Sequence, residues 1–274
     1  MFPVPTAQFG DGRRVSNEMI ATTREEIDIL REGGKRLARH LQELSLLTNV
    51  GVTSAELEEK AREMVSADGD EPAFLHYRPE KRQAPYPSAL CVSVNDVIVH
   101  SPASDNNIVF AEGDVVCLDF GIKHKGLFTD HAVTVIVGKA KNPDDEILVH
   151  AAYEALDAGI HEAIIGNTTG NIGAAVQRVA EKYSLGYPRN LSGHGVGRAV
   201  HESPHVPNFG VPGEGEKLVD GLVIAIEPMF ALGSGILFVD RDGHSYRTKD
   251  GSRTAHAEHT VIVTQNGPEI LTKI

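Results

Sequence analysis

The sequence predicts an α+β fold built from two successive helix–helix–strand blocks that pool their strands, with the helices covering one side. Three observations carry that prediction. Two capping boxes each open an apolar-periodic segment; strand-like apolar runs follow them; and the same order, helices and then strands, returns after Gly138. The blocks fall at about residues 21–138 and 139–274, with no clear residue-level repeat between them.

Residues 1–20, with Pro3, Pro5, Gly10 and Gly12, read as a loosely held arm with at most a short edge strand. Thr23-Arg24-Glu25-Glu26 has the capping-box pattern, and Ile27, Leu30, Leu37, Leu41 and Leu44 recur behind it at helical spacing. Gly33-Gly34 inside this helix costs about 1 kcal/mol per glycine relative to alanine. Close approach of another backbone is the usual compensation. Thr53-Ser54-Ala55-Glu56 opens a second helix that runs to about Ala67. Strands are expected at 90–94 and 97–100, broken by the turn signal Asn95-Asp96, and at 115–122 and 128–137. Helices follow at 144–165 and 171–183, then strands at 222–227, 236–240 and 257–263.

A chain of 274 residues can bury a full core. Its net charge of −12 argues against a general nucleic-acid or acidic-membrane binder, which needs clustered positive charge. The basic pairs Arg13-Arg14 and Lys81-Arg82 read as solvated surface. Cys91 and Cys117 are too few for a disulfide framework and fit a reducing compartment. No apolar run suits a signal peptide or approaches the roughly 20 residues of a membrane span. The expected location is the cytoplasm.

The chemistry concentrates in five residues. Asp119, Asp130, Glu227 and Glu258 lie in or beside apolar strand-like runs, and His194 lies in Gly193-His194-Gly195-Val196-Gly197. Carboxylates in such surroundings are penalised unless cations neutralise them. If the strands around Lys123-His124-Lys125-Gly126 form a regular hairpin centred between His124 and Lys125, Asp119 and Asp130 face each other directly. Their Cβ atoms would then be roughly 4.5–5.5 Å apart. Either one carboxyl stays protonated or a cation sits between them. Three further candidate ligands favour the cation. Any one aspartate is more often a surface residue or turn acceptor, and thirteen histidines make a single one uninformative. The constellation carries the argument. The glycines around His194 lack the Lys-Ser/Thr ending of a phosphate loop and suggest instead a strained backbone approached closely by substrate.

The chain resembles the type I methionine aminopeptidases, of the pita-bread (creatinase-like) fold, from about Thr23 to Leu271. The resemblance rests on Ser93-Val94-Asn95-Asp96 ahead of His100, on the glycine-flanked His194, and on His201-Glu202-Ser203-Pro204. Ile226-Glu227-Pro228-Met229, Glu258-His259-Thr260 and the eleven-residue step from Asp119 to Asp130 (130 − 119) complete it. It implies one catalytic domain over 21–274 whose pseudo-symmetric halves share an antiparallel sheet. It further implies that Asp119 holds one divalent metal ion, that His194 and Glu227 hold a second, and that Asp130 and Glu258 bridge them. Manganese, iron or cobalt suits these ligands best, with zinc a further candidate. The implied reaction removes the N-terminal methionine of nascent polypeptides with a hydroxide activated by the metal pair, Glu227 serving also as general base. His201 would bind the substrate amide or the oxyanion. His100 would bind the scissile peptide or pass a proton to the leaving amine.

Tyr86 and Cys91 fall where the family lines its methionine pocket. Val200 stands where the family usually has Phe, and His244 where it often has Trp. Ser101-Pro102 after His100 and His131 after Asp130 are further departures. A smaller, more polar pocket wall weakens apolar contact with methionine by about 1–3 kcal/mol. The resemblance implies a monomer, with the ribosome as a candidate partner and neither membrane nor specific nucleic acid. One alternative is a related pita-bread peptidase with shifted first-residue specificity or with X-Pro specificity. The other is a non-catalytic binding protein on the same fold.

Overall fold

The computed structural model describes residues 20–21, 23–78 and 84–274. The arm expected over 1–20, Ile20 excepted, and the pairs Arg13-Arg14 and Lys81-Arg82 lie outside the described residues. The first block contains helices α1 (Arg24–Leu47) and α2 (Ser54–Asp68), strands β1 (Glu71–Pro72), β2 (Leu90–Val94) and β3 (Val97–Val99), and the single turn α3 (Ala103–Asn106). It ends in the long hairpin β4 (Val115–His124) and β5 (Leu127–Ile136). The second block opens with α4 (Pro143–His161) and α5 (Thr169–Lys182), followed by β6 (Ser192–Gly195), β7 (Glu202–Pro207), β8 (Val223–Ile226) and β9 (Met229–Ala231). The short strands β10 (Leu237–Val239), β11 (Tyr246–Thr248) and β12 (Thr254–His256) come next, then β13 (Glu258–Thr264) and β14 (Gly267–Ile270).

The main sheet runs β1-β4-β5-β13-β8-β6-β7, with β2 added to β4 and β14 to β13. Strands of the two blocks therefore lie side by side in one antiparallel sheet, joined where β13 of the second block pairs with β5 of the first. The helices bury their apolar stripes against it. Leu37, Leu41 and Leu57 pack with Leu118 and Phe120, while Leu148, Leu156, Ile172 and Val176 pack with Ile224 and Ile226.

Local signals explain most of these elements. Both capping boxes form, Thr23 with Glu26 and Thr53 with Glu56. Gly34 is a close-approach position: a Cβ there would lie 2.3 Å from the carbonyl oxygen of Leu271. Helix α4 stops at His161 rather than 165, because the chain tightens into short-range turns before Gly166, leaving Ile164 and Ile165 exposed. No helix of the described residues is long and apolar enough to cross a membrane.

The β4–β5 hairpin corrects one expectation. Its turn is Lys125-Gly126, both with positive φ (46° and 91°), closed by the pair His124 and Leu127. This is the left-handed two-residue turn that matches strand twist. The hairpin centre thus lies between Lys125 and Gly126, one residue further along than expected. Asp119 pairs with Ala132 and Asp130 with Gly121, so the two aspartates are diagonal neighbours, not direct partners.

Candidate metal centre

Strand register alone brings the acidic residues together. Asp119 on β4 pairs with Ala132 on β5, and Ala132 pairs with Glu258 on β13. These three form one row across the sheet. A second row lies two residues away on the same face, since side chains alternate along a strand. It contains Asp130 on β5, Thr260 on β13, Ala225 on β8 and His194 on β6; Thr260 pairs with Ala225 and Ala225 with His194. Between Asp130 and Thr260 the ladder gives way to the Thr260 hydroxyl, which donates to the Asp130 carbonyl (2.7 Å) and accepts from its N–H (2.8 Å). Glu227 follows β8, two residues beyond Ala225. Small alanines sit between the functional side chains in both rows and leave room over the sheet.

All five residues are buried. His194 Nε2 lies 3.5 Å from Glu227 Oε1 and 4.0 Å from Asp130 Oδ2. Burial, reinforced by the neighbouring carboxylates, holds Asp119 and Glu258 well above the ordinary carboxyl range. It raises Asp130 to about 8 and Glu227 to about 7. Among the described residues these carboxylates have only histidines as ion-pair partners, with no Lys or Arg within reach. Glu258 Oε1 is buried without a hydrogen-bond partner among the described residues. Four crowded carboxylates and a neutral imidazole, with an orphaned oxygen among them, fit divalent cations: such ions supply the missing positive charge and accept these donor types.

The same pocket is lined by His100, His201, Tyr86 and Cys91, and by Phe74 and Tyr77, which carried no sequence signal. The His201 ring lies tilted against those of His194 and Tyr77, with centroids 4.3 Å and 5.1 Å away. His100 sits with φ 64° after β3 and meets Tyr246 edge-on. Burial, with other histidines nearby, lowers His100 to about 3 and His201 well below the ordinary value. Both imidazoles are therefore neutral donors or acceptors near neutral pH. Tyr86 donates its hydroxyl proton to Cys91 Sγ at 2.9 Å, and Cys91 pairs across β2–β4 with Asp119. Val200 and His244 do not line the pocket directly. Val200 packs in the apolar cluster with Phe74, Tyr86 and Cys91, and His244 meets the Tyr86 ring edge-on at 5.4 Å.

The glycines around His194 serve the sheet rather than a ligand. A Cβ on Gly195 would lie 2.0 Å from the carbonyl oxygen of Ser203, and one on Gly193 2.4 Å from that of Ala225. The close approach comes from neighbouring strands β7 and β8, which corrects the expectation of substrate approach. Sequence reasoning also missed His256, whose Nε2 lies 3.4 Å from Glu227 Oε2. Its signal was the two-residue step to Glu258 along an extended segment.

Residues 27–265 match the family model described as metallopeptidase family M24. The chain belongs to that family. A curated M24 relative, methionine aminopeptidase of Aquifex aeolicus, is 41% identical over 255 residues, covering 92% of this chain and 98% of the relative. The crystal structure of methionine aminopeptidase from Thermotoga maritima superposes with a TM-score of 0.88 at 38% identity, over 93% of this chain and all (100%) of that one. At this identity and coverage the relatives also place the chain with the type I methionine aminopeptidases of the M24 family. Prolidase from Pyrococcus horikoshii has a TM-score of 0.72 at 21% identity, over 93% of this chain and 64% of that one, a likeness of the pita-bread fold alone.

Proposed function

We propose that this M24 chain is a methionine aminopeptidase that hydrolyses the first peptide bond of polypeptides beginning with methionine. The observation that supports it most is the pair of cross-strand rows that gathers Asp119, Asp130, His194 and Glu258 in one pocket with Glu227, His100 and His201. Asp119 would hold one divalent ion, His194 and Glu227 would hold a second, and Asp130 and Glu258 would serve both. Manganese, iron or cobalt suits this oxygen-rich set. Bound there, the ion pair supplies Lewis-acid activation of water and of the peptide carbonyl.

The chain's own residues do the rest. Glu227, whose carboxyl sits in a low-dielectric setting, accepts the proton of the attacking water. His201, neutral and next to His194, offers an N–H to the oxygen of the tetrahedral carbon. His100 orients the scissile amide; with its value held at about 3 it acts through a hydrogen bond rather than as a proton source. The apolar wall of Phe74, Tyr77, Tyr86 and Cys91, backed by Val200, receives the first side chain. The enzyme acts as a monomeric, cytoplasmic domain over 21–274 on nascent chains, with the ribosome as a candidate docking partner.

The test is release of the first residue from Met-, Leu-, Ala- and X-Pro tripeptides with Mn²⁺ or Co²⁺ and an EDTA control. Cleavage confined to Met- and abolished by EDTA is the expected result. Exclusive cleavage before proline overturns the assignment in favour of a prolidase-like activity.

A further inference from the structure

The Glu227 carboxylate is shared between two imidazoles. Its Oε1 lies 3.5 Å from His194 Nε2, and its Oε2 lies 3.4 Å from His256 Nε2. His256 is 1% exposed, and among the described residues neither of its ring nitrogens has a hydrogen-bond partner. A buried imidazole with both nitrogens unsatisfied loses free energy that a native structure normally recovers through some partner. Here the side chain is aimed at the carboxylates. His256 ends β12, where it pairs with Met229 two residues beyond Glu227, and it stands two residues before Glu258 on the same extended run.

The spacing separates two readings of that nitrogen. A hydrogen bond would bring Nε2 to about 2.7–3.2 Å from one carboxylate oxygen. Instead it stands 3.4 Å from Glu227 Oε2 and 3.8 Å from Glu258 Oε2, aligned for neither. Donors that share one ion at bonds of about 2.0–2.2 Å are themselves separated by roughly 2.8–3.8 Å at ligand angles of about 90–120°. Glu227, His256 and Glu258 each offer an atom within 4.8 Å of the others, and Glu258 Oε1 is also unpartnered. The set has the geometry of ligands around a common point.

We propose that His256 is a sixth protein ligand of the metal centre, its Nε2 joining Glu227 and Glu258 on one ion. The proposal rests on the dinuclear reading of the site given above. It gives the centre two imidazoles, one from each end of the Glu227 carboxylate. A second nitrogen donor moves preference from manganese towards cobalt, iron or zinc, since imidazole suits those ions and carboxylate suits manganese.

The test compares the full-length protein with His256→Gln, which keeps a hydrogen-bonding group but removes the imidazole. Two readouts are taken on cobalt-loaded protein: the number of paramagnetically shifted imidazole N–H signals by proton NMR, and Co²⁺ and Mn²⁺ affinity by calorimetry. Two metal-bound imidazoles in the wild type, one in the variant, and at least about tenfold weaker Co²⁺ binding with a smaller change for Mn²⁺ support the proposal. Affinity alone does not decide, because a hydrogen-bonding neighbour can produce a similar loss; the imidazole count does. A single shifted imidazole in the wild type overturns the proposal while leaving the five-ligand centre intact. No shifted imidazole and no bound cobalt in the wild type overturns the metal reading itself. The wild-type count stands even if the variant fails to fold.

Discussion

Ala132 pairs directly with Asp119 across β4 and β5, and its other neighbour, on β13, is Glu258. A methyl group between two carboxylates is the smallest side chain that keeps the strand regular, and it leaves open the volume that ions and water need. Ala132 is fully buried, with no exposed surface (0%). Ala132→Leu should therefore fill that volume. The expected result is loss of metal stoichiometry and a fall in kcat/KM of at least about 100-fold. Overpacking should lower stability by about 1–3 kcal/mol. Elemental analysis after dialysis, with a melting curve, checks both. Full metal loading in the leucine variant would show that the ions do not lie over this row.

Removing a ligand tests the site from the other side. Asp119→Ala and Glu227→Ala should each reduce turnover to background, because each takes away a donor and leaves neighbouring carboxylates unbalanced. His201→Ala should lower kcat by about 100-fold or more while metal content stays at the wild-type level, since its role is donation to the developing oxyanion. Near-normal activity of the Asp119 variant would refute its assignment as a ligand. Metal loss in the His201 variant would move that residue from substrate contact to ligation.

The fold and the five candidate ligands were readable in the sequence for different reasons. Capping boxes at Thr23 and Thr53 and the apolar strand runs are local signals, so the long helices and β4, β5 and β13 were visible. The short strands β9, β11 and β12 were not. Three residues cannot display a period, and their pairing is set by partners distant in sequence, as when His256 pairs with Met229. The hairpin register turned on which two residues adopt positive φ. Lys125 carries no composition signal for that, so the centre was misplaced by one residue and the aspartates by one pairing. Asp119, Asp130, Glu227 and Glu258 stood out because charge in an apolar run is anomalous. Phe74 and Tyr77 are ordinary apolar residues, and only the folded chain brings Tyr77 against His201.

The carboxylate cluster should make stability depend on pH and metal together. Asp130 at about 8 and Glu227 at about 7 lie above their ordinary 3.8 and 4.5, so folded protein treated with EDTA retains protons that the unfolded chain has released. Their stabilising contribution is full below the unfolded values and is lost as pH rises through about 7 to 8. His100 and His256, pushed from 6.5 to about 3 by burial, act in the opposite sense: their contribution is full above 6.5 and is lost as pH falls towards 3. Between pH 6.5 and 8 only the carboxylates of this group change. The melting temperature of EDTA-treated protein should fall across that interval, and saturating Mn²⁺ or Co²⁺ should flatten the fall. A melting temperature that rises between pH 6.5 and 8 in EDTA would show that the carboxylates are already ionised and paired without metal.

Selectivity for the first residue should respond to the layer behind the pocket. Val200 is buried against Phe74, Tyr86 and Cys91 without facing the cavity. Val200→Phe adds a ring to a packed cluster, and the ring can be accommodated only by pushing Phe74 or Tyr86 inward. That narrows the space for a methionine side chain more than for an alanine one. The expected change is a fall in kcat/KM for Met-Ala-Ser of about 10-fold or more relative to Ala-Ala-Ser, the size of one lost apolar contact. Metal content should not change, because Val200 packs against the apolar wall and is none of the five assigned ligands. The ratio of the two specificity constants is the measurement. An unchanged ratio would mean that Val200 supports the fold without shaping the pocket, and that selectivity rests on the lining residues Phe74, Tyr77, Tyr86 and Cys91.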